Sequence, residues 1–387
     1  MMRLAIITTH PIQYYAPVFK LLHERQRIAV KVFYTWGETA LDKYDPDFGK
    51  KITWDLPLLD GYPFEWVKNT AADAGSHHFK GIINPGLINQ VNNYKPDAVL
   101  FIGWAYHSHL KAMRYFKNKV PVFFRGDSTL LDEKPTLRSF LKSFFLKWVY
   151  SHVDHAFYTG THNKAYFKKY GLKDNQLTFA PHAVDNNRFK TNRHTEAQEL
   201  RNRLGLKDED ILILFAGKFE PKKNPEILLD AVLKINNPKI HLLFTGNGQL
   251  ESALKQKAQH SPNIHFIDFQ NQTNMPVVYQ ACNLFCLPSK GPGESWGLAV
   301  NEAMACSKAV LVSDKCGCAI DLVINNKNGA IFKSENMDDL TAHLNQLTKT
   351  RDGLTDLGKT SALLIEDWNF LTIAETIEQK LLNEAQR

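Results

Sequence analysis

Short apolar runs alternate with amphipathic stretches along almost the whole chain, and this constrains the fold more than any other feature. Leu4–Thr8, Val30–Tyr34, Ala98–Ile102, Val120–Phe124 and Ala156–Tyr158 are each of strand length, with helical stretches between several of them. After Pro181 the pattern restarts with Ile211–Ala216, a helix near Pro225–Ile235, then His241–Thr245, Ile264–Ile267, Leu284–Leu287 and Ala309–Val312. Apolar strands separated by helices form parallel sheets covered on both faces. Two such series predict an α/β protein of two doubly wound, Rossmann-like domains, and 387 residues exceed what one core usually holds. The reading is a first domain over 1–190, a second over 191–365 and a closing helix over 366–387, with the boundary in the polar segment around Asn186–Arg203. Ligands of such sheets sit beyond the carboxyl ends of the strands, so a cleft between the domains is the expected site.

Charge is shared unevenly. Residues 1–190 carry 26 Lys and Arg against 16 Asp and Glu, a balance of +10; residues 191–387 carry 21 against 24, a balance of −3. A basic first half suits an anionic partner such as phospholipid, a lipid-linked phosphate or an acidic saccharide. It is equally the pattern of a well-solvated basic surface. No basic helix with aromatic interleaving of a nucleic-acid reader type occurs, so nucleic acid is not expected. No apolar run approaches the ~18 residues that span a bilayer, and the opening Met1–Gln13 turns polar early, as a strand does and a signal peptide does not. The expected location is cytoplasmic, at most peripheral on the inner face of a membrane. Leu137, Phe140, Leu141, Phe144, Phe145, Trp148 and Val149 recur at helical spacing, interrupted by Arg138, Lys142 and Lys147. Such a stripe is either core or a membrane-facing amphipathic helix. The cysteines, Cys282, Cys286, Cys306, Cys316 and Cys318, are odd in number and fit no zinc spacing, which predicts reduced structural thiols.

The chemistry concentrates in Leu287–Asp321, LPSKGPGESWGLAVNEAMACSKAVLVSDKCGCAID. Glu294 lies in a Gly/Pro-rich loop, and Glu302 follows eight positions later in the helix that Trp296, Gly297 and Leu298 begin. A loop that opens a helix offers backbone N–H groups and a positive dipole end, which suit a phosphate. Carboxylates on either side can accept from sugar and ribose hydroxyls. Together these features suggest a nucleotide-sugar ligand. Lys218, after the strand Ile211–Ala216, and Lys223, before the helix at Pro225, can converge on a diphosphate as point charges. Thr245-Gly246-Asn247-Gly248 follows another strand and suits a backbone that approaches a ligand closely.

This arrangement resembles the family 4 glycosyltransferases, retaining enzymes of the GT-B fold, over about residues 180–335. PHAVDNNRF (Pro181 to Phe189) stands where the family reads Pro-Asn-Gly-Val-Asp…Phe. Lys218 replaces the Arg of Gly-Arg-Leu, and Lys223 holds the family's Lys position. Pro288-Ser289, Glu294, Trp296-Gly297-Leu298 and Glu302-Ala303-Met304-Ala305 fit its Glu, seven residues, Glu pattern. Gly317 and Asp321-Leu322-Val323 stand in loosely for a later Gly-Gly…Glu-Ile-Val, and Trp368 onward resembles the helix that crosses back to the first domain.

The resemblance implies roles. Lys218 and Lys223 would hold the donor diphosphate, Glu302 the ribose and Glu294 the donor sugar near the reacting carbon. The base would pack at Phe269, Gln270 and Asn271, and the first domain would bind the acceptor. Catalysis would rest on Glu294, Lys218 and Lys223 without cofactor or metal; Asp45-Pro46-Asp47, the only tempting Asp-x-Asp of the first half, lies in a polar turn. The donor would be UDP- or GDP-linked and the acceptor a saccharide or lipid-linked saccharide. The first domain departs from the pattern, with Thr9-His10-Pro11-Ile12-Gln13 where a Gly-Gly loop is common. His10, Gln13, His107, Arg125 and Asp127 are its candidates for acceptor or sugar contact, Arg125 either meeting an anion or pairing with Asp127. The competing readings are a GT-B-fold nucleotide-sugar 2-epimerase and a non-catalytic nucleotide-sugar-binding subunit.

Overall fold

A computed structural model of the protein describes residues 1–38 and 54–384 in full and the backbone of 44–45 and 50–51. The chain divides into two compact units. The first comprises 1–43, 57–182 and 370–387, and the second 44–56 and 183–369.

The strands of the first part of the chain are β1 (Arg3–Thr8), β2 (Ala29–Tyr34), β3 (Tyr44–Asp45), β4 (Lys50–Lys51), β5 (Phe64–Trp66), β6 (Ala98–Ile102), β7 (Val122–Arg125), β8 (His155–Tyr158) and β9 (Leu177–Phe179). Among the described residues, the first unit forms a seven-stranded sheet in the order β5-β2-β1-β6-β7-β8-β9. Its pairs are parallel; Leu4 of β1 lies opposite Val30 on one side and Ala98 on the other. β3 and β4 form a separate antiparallel pair. Leu4 to Thr8 are buried, as a strand covered on both faces requires. β7 begins two residues later than its apolar run, because Pro121 has no N–H to donate and contributes only its carbonyl, to Val99 N at 3.0 Å. Helices α1 (Ala16–Glu24), α2 (Leu87–Tyr94), α3 (His107–Phe116), α4 (Leu137–Tyr150) and α5 (Thr161–Lys169) cover the sheet. Val99, Phe101, Met113, Phe124, Tyr150 and Phe167 fill its core.

The second unit holds β10 (Ile211–Ala216), β11 (Ile240–Thr245), β12 (Ile264–Ile267), β13 (Leu284–Leu287), β14 (Ala309–Ser313) and β15 (Gly329–Phe332). They form a parallel sheet in the order β12-β11-β10-β13-β14-β15. Its helices are α6 (Asn186–Lys190), α7 (His194–Arg203), α8 (Pro225–Ile235), α9 (Glu251–Ala258), α10 (Met275–Ala281), α11 (Leu298–Ala305), α12 (Ala319–Leu322), α13 (Met337–Leu347) and α14 (Arg351–Leu364). The change of unit falls after 182, earlier than the polar stretch suggests, because α6 is anchored in the second unit. Asn186 Nδ2 donates to the carbonyls of Ile365 at 2.9 Å and Trp368 at 3.3 Å, and Phe189 packs against Tyr279. All five cysteines are buried free thiols.

The last helix, Phe370–Glu384, belongs to the first unit and lies on α1. Ile373, Ile377 and Leu381 are buried along it, and so is the charged Glu378, which is 0% exposed. Arg25, at the end of α1, donates from Nε to both Glu378 oxygens, at 2.9 and 3.0 Å, while Arg27 stands 3.8 Å away. Losing one partner of a buried pair strands the other charge. Arg25→Ala is therefore expected to lower the unfolding free energy by about 2–3 kcal/mol, below the full range for a broken buried pair because Arg25 is a quarter exposed. Arg25→Lys should restore part of the loss. Urea unfolding of the three proteins measures it; an unchanged midpoint for Arg25→Ala would reject the anchoring role.

Candidate functional site

The groups singled out in the second half of the sequence gather at the carboxyl ends of β10, β11, β13 and β14. β10 leaves the sheet at Gly217, and a half-buried Lys218 follows. A single 3-10 turn, Pro221–Lys223, leads to Asn224, whose positive φ of 51° allows the chain to enter α8 at Pro225. Lys223 is thereby fixed at a helix start. The loop after β13 joins it there, with Lys290 N donating to Lys222 O at 2.8 Å.

Lys223 and Glu294 form an ion pair, largely buried, with the lysine side chain 19% and the glutamate 7% exposed. The Ser289 hydroxyl donates to the same oxygen, Glu294 Oε2, at 2.9 Å. Burial alone would lower the pKa of Lys223, but the adjacent Glu294 charge and hydrogen bond outweigh it and leave it raised. The ammonium is therefore fully charged near neutrality. Ser289 is itself held from β14 and from the loop after β15, since its carbonyl accepts from the Ser313 hydroxyl and from Ser334 Oγ at 3.2 Å. The loop following β14 closes the other side, with Gly317 N donating to Glu294 O at 3.1 Å and Cys318 N to Trp296 O at 2.9 Å. Cys316 lies beside this pair, and burial followed by the Glu294 charge pushes its thiol up to about 12, so it stays protonated.

Gly297 caps α11 with φ +99°, a region that disfavours side chains, and a Cβ there would come 2.9 Å from Leu287 Cδ2. The first N–H groups of α11, from Leu298 onward, have no carbonyl four residues back within the helix. Glu302 lies one turn along the same helix, 5% exposed, and accepts from Tyr279 Oη on α10 at 2.8 Å. Trp296, expected at the donor, has a buried side chain. Its indole is 4% exposed, donates from Nε1 to Asn301 at 2.8 Å and lies 5.3 Å from the Trp368 ring.

Beyond β11, a Cβ on Gly246 would lie 2.1 Å from Gly217 O, so the two strand ends meet backbone to backbone. Asn247 then fixes the neighbouring loop: its Oδ1 accepts from Phe269 N at 3.0 Å, and its Nδ2 donates to Asp268 at 3.0 Å and Glu251 at 3.1 Å. Gln270 is held by Asp268 O and by Asn274. Trp54, from the 44–56 segment of the same unit, stands edge-on to Phe269 at 6.4 Å, and Thr273 N donates to Asp55 at 3.1 Å. Ser289 and Asn247 were legible in the sequence only as members of the Pro-Ser and Gly-Asn-Gly motifs, without a side-chain role, and nothing local marks Tyr279 and Trp54.

The first-unit candidates also cluster at strand ends, with different outcomes. His10, after β1, has Nδ1 2.9 Å from Thr9 Oγ1 and its ring edge-on to Trp36; Gln13 is buried. His107 is exposed at the first turn of α3. The buried histidine there is His109, with Nδ1 2.9 Å from Gly103 O and Nε2 2.8 Å from Thr35 Oγ1. Arg125, read as meeting an anion or pairing with Asp127, is buried. It is 1% exposed, and its terminal nitrogens donate to the carbonyls of Ala180 at 2.8 Å and Pro181 at 2.7 Å. Asp127 is half-buried nearby. Of Asp45-Pro46-Asp47, Pro46 and Asp47 lie outside the described residues, and only the backbone of Asp45 is described. Asp73, His77 and His78 bring three potential ligand atoms within 4.8 Å of one another on an exposed loop, where Asp73 Oδ2 is 3.1 Å from His77 Nε2.

Solved structures share the fold. Anabaena HepE in complex with UDP matches with a TM-score of 0.73 at 17% identity, over 99% of this chain and all of that one. Sucrose-phosphate synthase from Thermosynechococcus elongatus matches with a TM-score of 0.74 at 17% identity, over all of both chains. The fold is that of the GT-B glycosyltransferases. Residues 196–362, within the second unit, match the family model described as Glycosyl transferases group 1. A D-inositol 3-phosphate glycosyltransferase of Mycobacterium ulcerans is 27% identical over 166 residues, 41% of this chain and 35% of that protein. A phosphatidyl-myo-inositol mannosyltransferase of Mycobacterium tuberculosis is 31% identical over 105 residues, 26% of this chain and 28% of that protein. The chain thus spans about a third of the length of these relatives.

Burial holds His109 neutral, its pKa lowered to about 4 from 6.5. The unfolded chain takes up that proton below pH ~6.5 while the native state does not, so stability falls as pH drops from ~6.5 to ~4 and is fully present above that window. This one group accounts for roughly 3 kcal/mol across it. His109→Asn should flatten that part of the profile in denaturant unfolding between pH 7 and pH 4; an unchanged slope would remove His109 as its source.

Proposed function

We propose that this protein is a retaining glycosyltransferase of family 4 that moves a hexose-type residue from a UDP- or GDP-linked donor to a saccharide or lipid-linked acceptor, in bacterial surface-glycan biosynthesis. The observation that carries the reading is the Lys223–Glu294–Ser289 cluster at the start of α11, with Glu302 one turn along that helix. The UDP and UDP-glucose bound in the HepE structures, and the sugar-transfer names of the mycobacterial relatives, support a nucleotide-sugar donor.

The donor diphosphate binds Lys223 and Lys218 and the first N–H groups of α11, and in doing so draws the Lys223 ammonium away from Glu294. Glu294, kept in place by Ser289, then accepts from hydroxyls of the donor sugar. Glu302 accepts from the ribose. Phe269 and Gln270 border the base. As the bond between C1 and the diphosphate oxygen breaks, negative charge grows on the leaving group and positive charge on the sugar ring. The lysines and helix terminus stabilise the first, and Glu294 lies beside the second. The acceptor hydroxyl forms the new bond to C1 on the same face and passes its proton to the departing phosphate oxygen. Lysines supply the cationic charge that a metal supplies in other transferases, so EDTA leaves turnover unchanged. The acceptor lies against the first unit, where a lipid-linked one brings the basic half of the chain to an anionic membrane on the cytoplasmic face.

Lys223→Ala is expected to weaken UDP or GDP binding by about 100-fold, the loss of one charged contact to a diphosphate of roughly 2–3 kcal/mol. Isothermal titration with the nucleotides checks it, and unaltered affinity would reject the diphosphate site. Glu294→Gln should leave nucleotide affinity within about threefold but lower transfer by about 100-fold or more, as expected when charge stabilisation at the reacting centre is lost. Release of nucleoside diphosphate from the donor with and without acceptor reads out that variant, and unchanged turnover would sink the role of Glu294.

A further inference from the structure

The apolar stripe of α4 does not face the core. Leu137, Phe140, Leu141, Phe144, Phe145 and Trp148 are between 42% and 77% exposed, while the small Ser139 and Ser143 are half-buried on the opposite side and Leu146, Val149 and Tyr150 are buried. At 3.6 residues per turn the six exposed side chains span an arc of roughly 140°. Lys147 borders one edge of that arc and Arg138 and Lys142 the other. The helix contains no acidic residue. Arg114, on the neighbouring α3, places its guanidinium 5.4 Å from the Trp148 ring. A core helix would have the opposite arrangement, with serines outward and aromatics inward.

From this we infer that the outer face of α4 docks on an anionic phospholipid surface, its aromatic and leucine side chains entering the headgroup boundary while Arg138, Lys142, Lys147 and Arg114 meet lipid phosphates. Charge decides the occupant. An apolar face bordered on both sides by cations whose stems can lie along it while their heads reach outward matches a lipid interface. A self-association face would place the same cations opposite their own copies in any arrangement that joins the two stripes in register. The inference extends the reading of a membrane-borne acceptor but stands on the first unit alone.

The test is co-sedimentation of the full chain with vesicles of phosphatidylcholine, or of phosphatidylcholine with a third of phosphatidylglycerol, in the absence of donor and acceptor. Binding at least ~10-fold tighter to the anionic vesicles is expected, weakening with added salt. Phe144→Ser with Trp148→Ser should reduce it by ~10-fold or more. Arg138→Glu with Lys142→Glu should abolish the preference for anionic vesicles. Both pairs alter exposed positions, and an unchanged melting temperature verifies the fold. Vesicle binding that is absent in the wild type, or intact in the Phe144/Trp148 variant, overturns the inference. So does a concentration-dependent dimer lost in that variant without vesicle binding. None of these readings involves sugar transfer, so failure here leaves the proposed activity standing, and an inactive enzyme that binds vesicles leaves the docking standing.

Discussion

The ion pair between Lys223 and Glu294 organises the second unit's functional end. It joins the turn after β10 to the loop after β13, and Ser289 and the loop after β14 close around it. One carboxylate oxygen accepts from both the lysine and the serine. Buried pairs of this kind are poor investments in stability, since desolvating two charges offsets most of their attraction. Its position gives it another use. The ammonium stands where the opening of α11 already favours negative charge. In the proposed reaction it is held by a carboxylate in one state, and is charged and oriented for the donor's anion in the next. Exchanging one anion for another at a fixed cation avoids the reorganisation that a solvated lysine would require.

The fold was legible because its signal is local. Apolar strands of four to six residues announced themselves, and the shifts that occurred have local causes, such as Pro121 delaying β7. β3, β4, β5 and β9 have only two or three residues each and did not stand out, and β15 opens on Gly329, which weakens its apolar signal. Glu294, Glu302 and Lys223 were legible as residues, through spacing within one loop and one helix. Ser289, five residues from Glu294 in the same loop, was named only as part of a motif, and Tyr279 was not legible because it reaches Glu302 from α10, 23 residues away in sequence. For Trp296, spacing located a backbone position at the helix start but said nothing about the direction of the indole, which packs with Asn301 and Trp368.

Arginine illustrates a further limit on reading charge from sequence. Arg125 is buried and holds the carbonyls of Ala180 and Pro181 at the end of β9. Arg201 donates to the carbonyls of Ala281 and Asp210, and Arg188 to Gln272 in the second unit. Each ties a strand end or loop to an element distant in sequence, a task for which the planar fork of guanidinium donors is suited. Such arginines count toward net charge but add little to the surface field. Lysines of the first unit are also engaged, Lys117 with Asp154, Lys168 with Asp174 and Lys31 with Glu65. These pairs already cancel within the +10 balance of residues 1–190, which overstates the exposed excess only through buried arginines such as Arg125.

What matters for an anionic partner is then where cations lie beside something else that the partner can use. A uniform excess of lysine favours solubility, whereas cations along the border of an exposed apolar arc favour an interface with both chemistries. The two units divide their polar chemistry accordingly. In the second, charges are drawn inward, paired and fixed at strand ends, the arrangement that a small anionic ligand of defined geometry demands. In the first, the buried Arg125 and His109 stabilise strand ends and loops, while the cations of α4 stay outside beside side chains that gain nothing from water. A surface of that kind selects for a partner with a charged skin and an apolar interior, without requiring a fixed geometry.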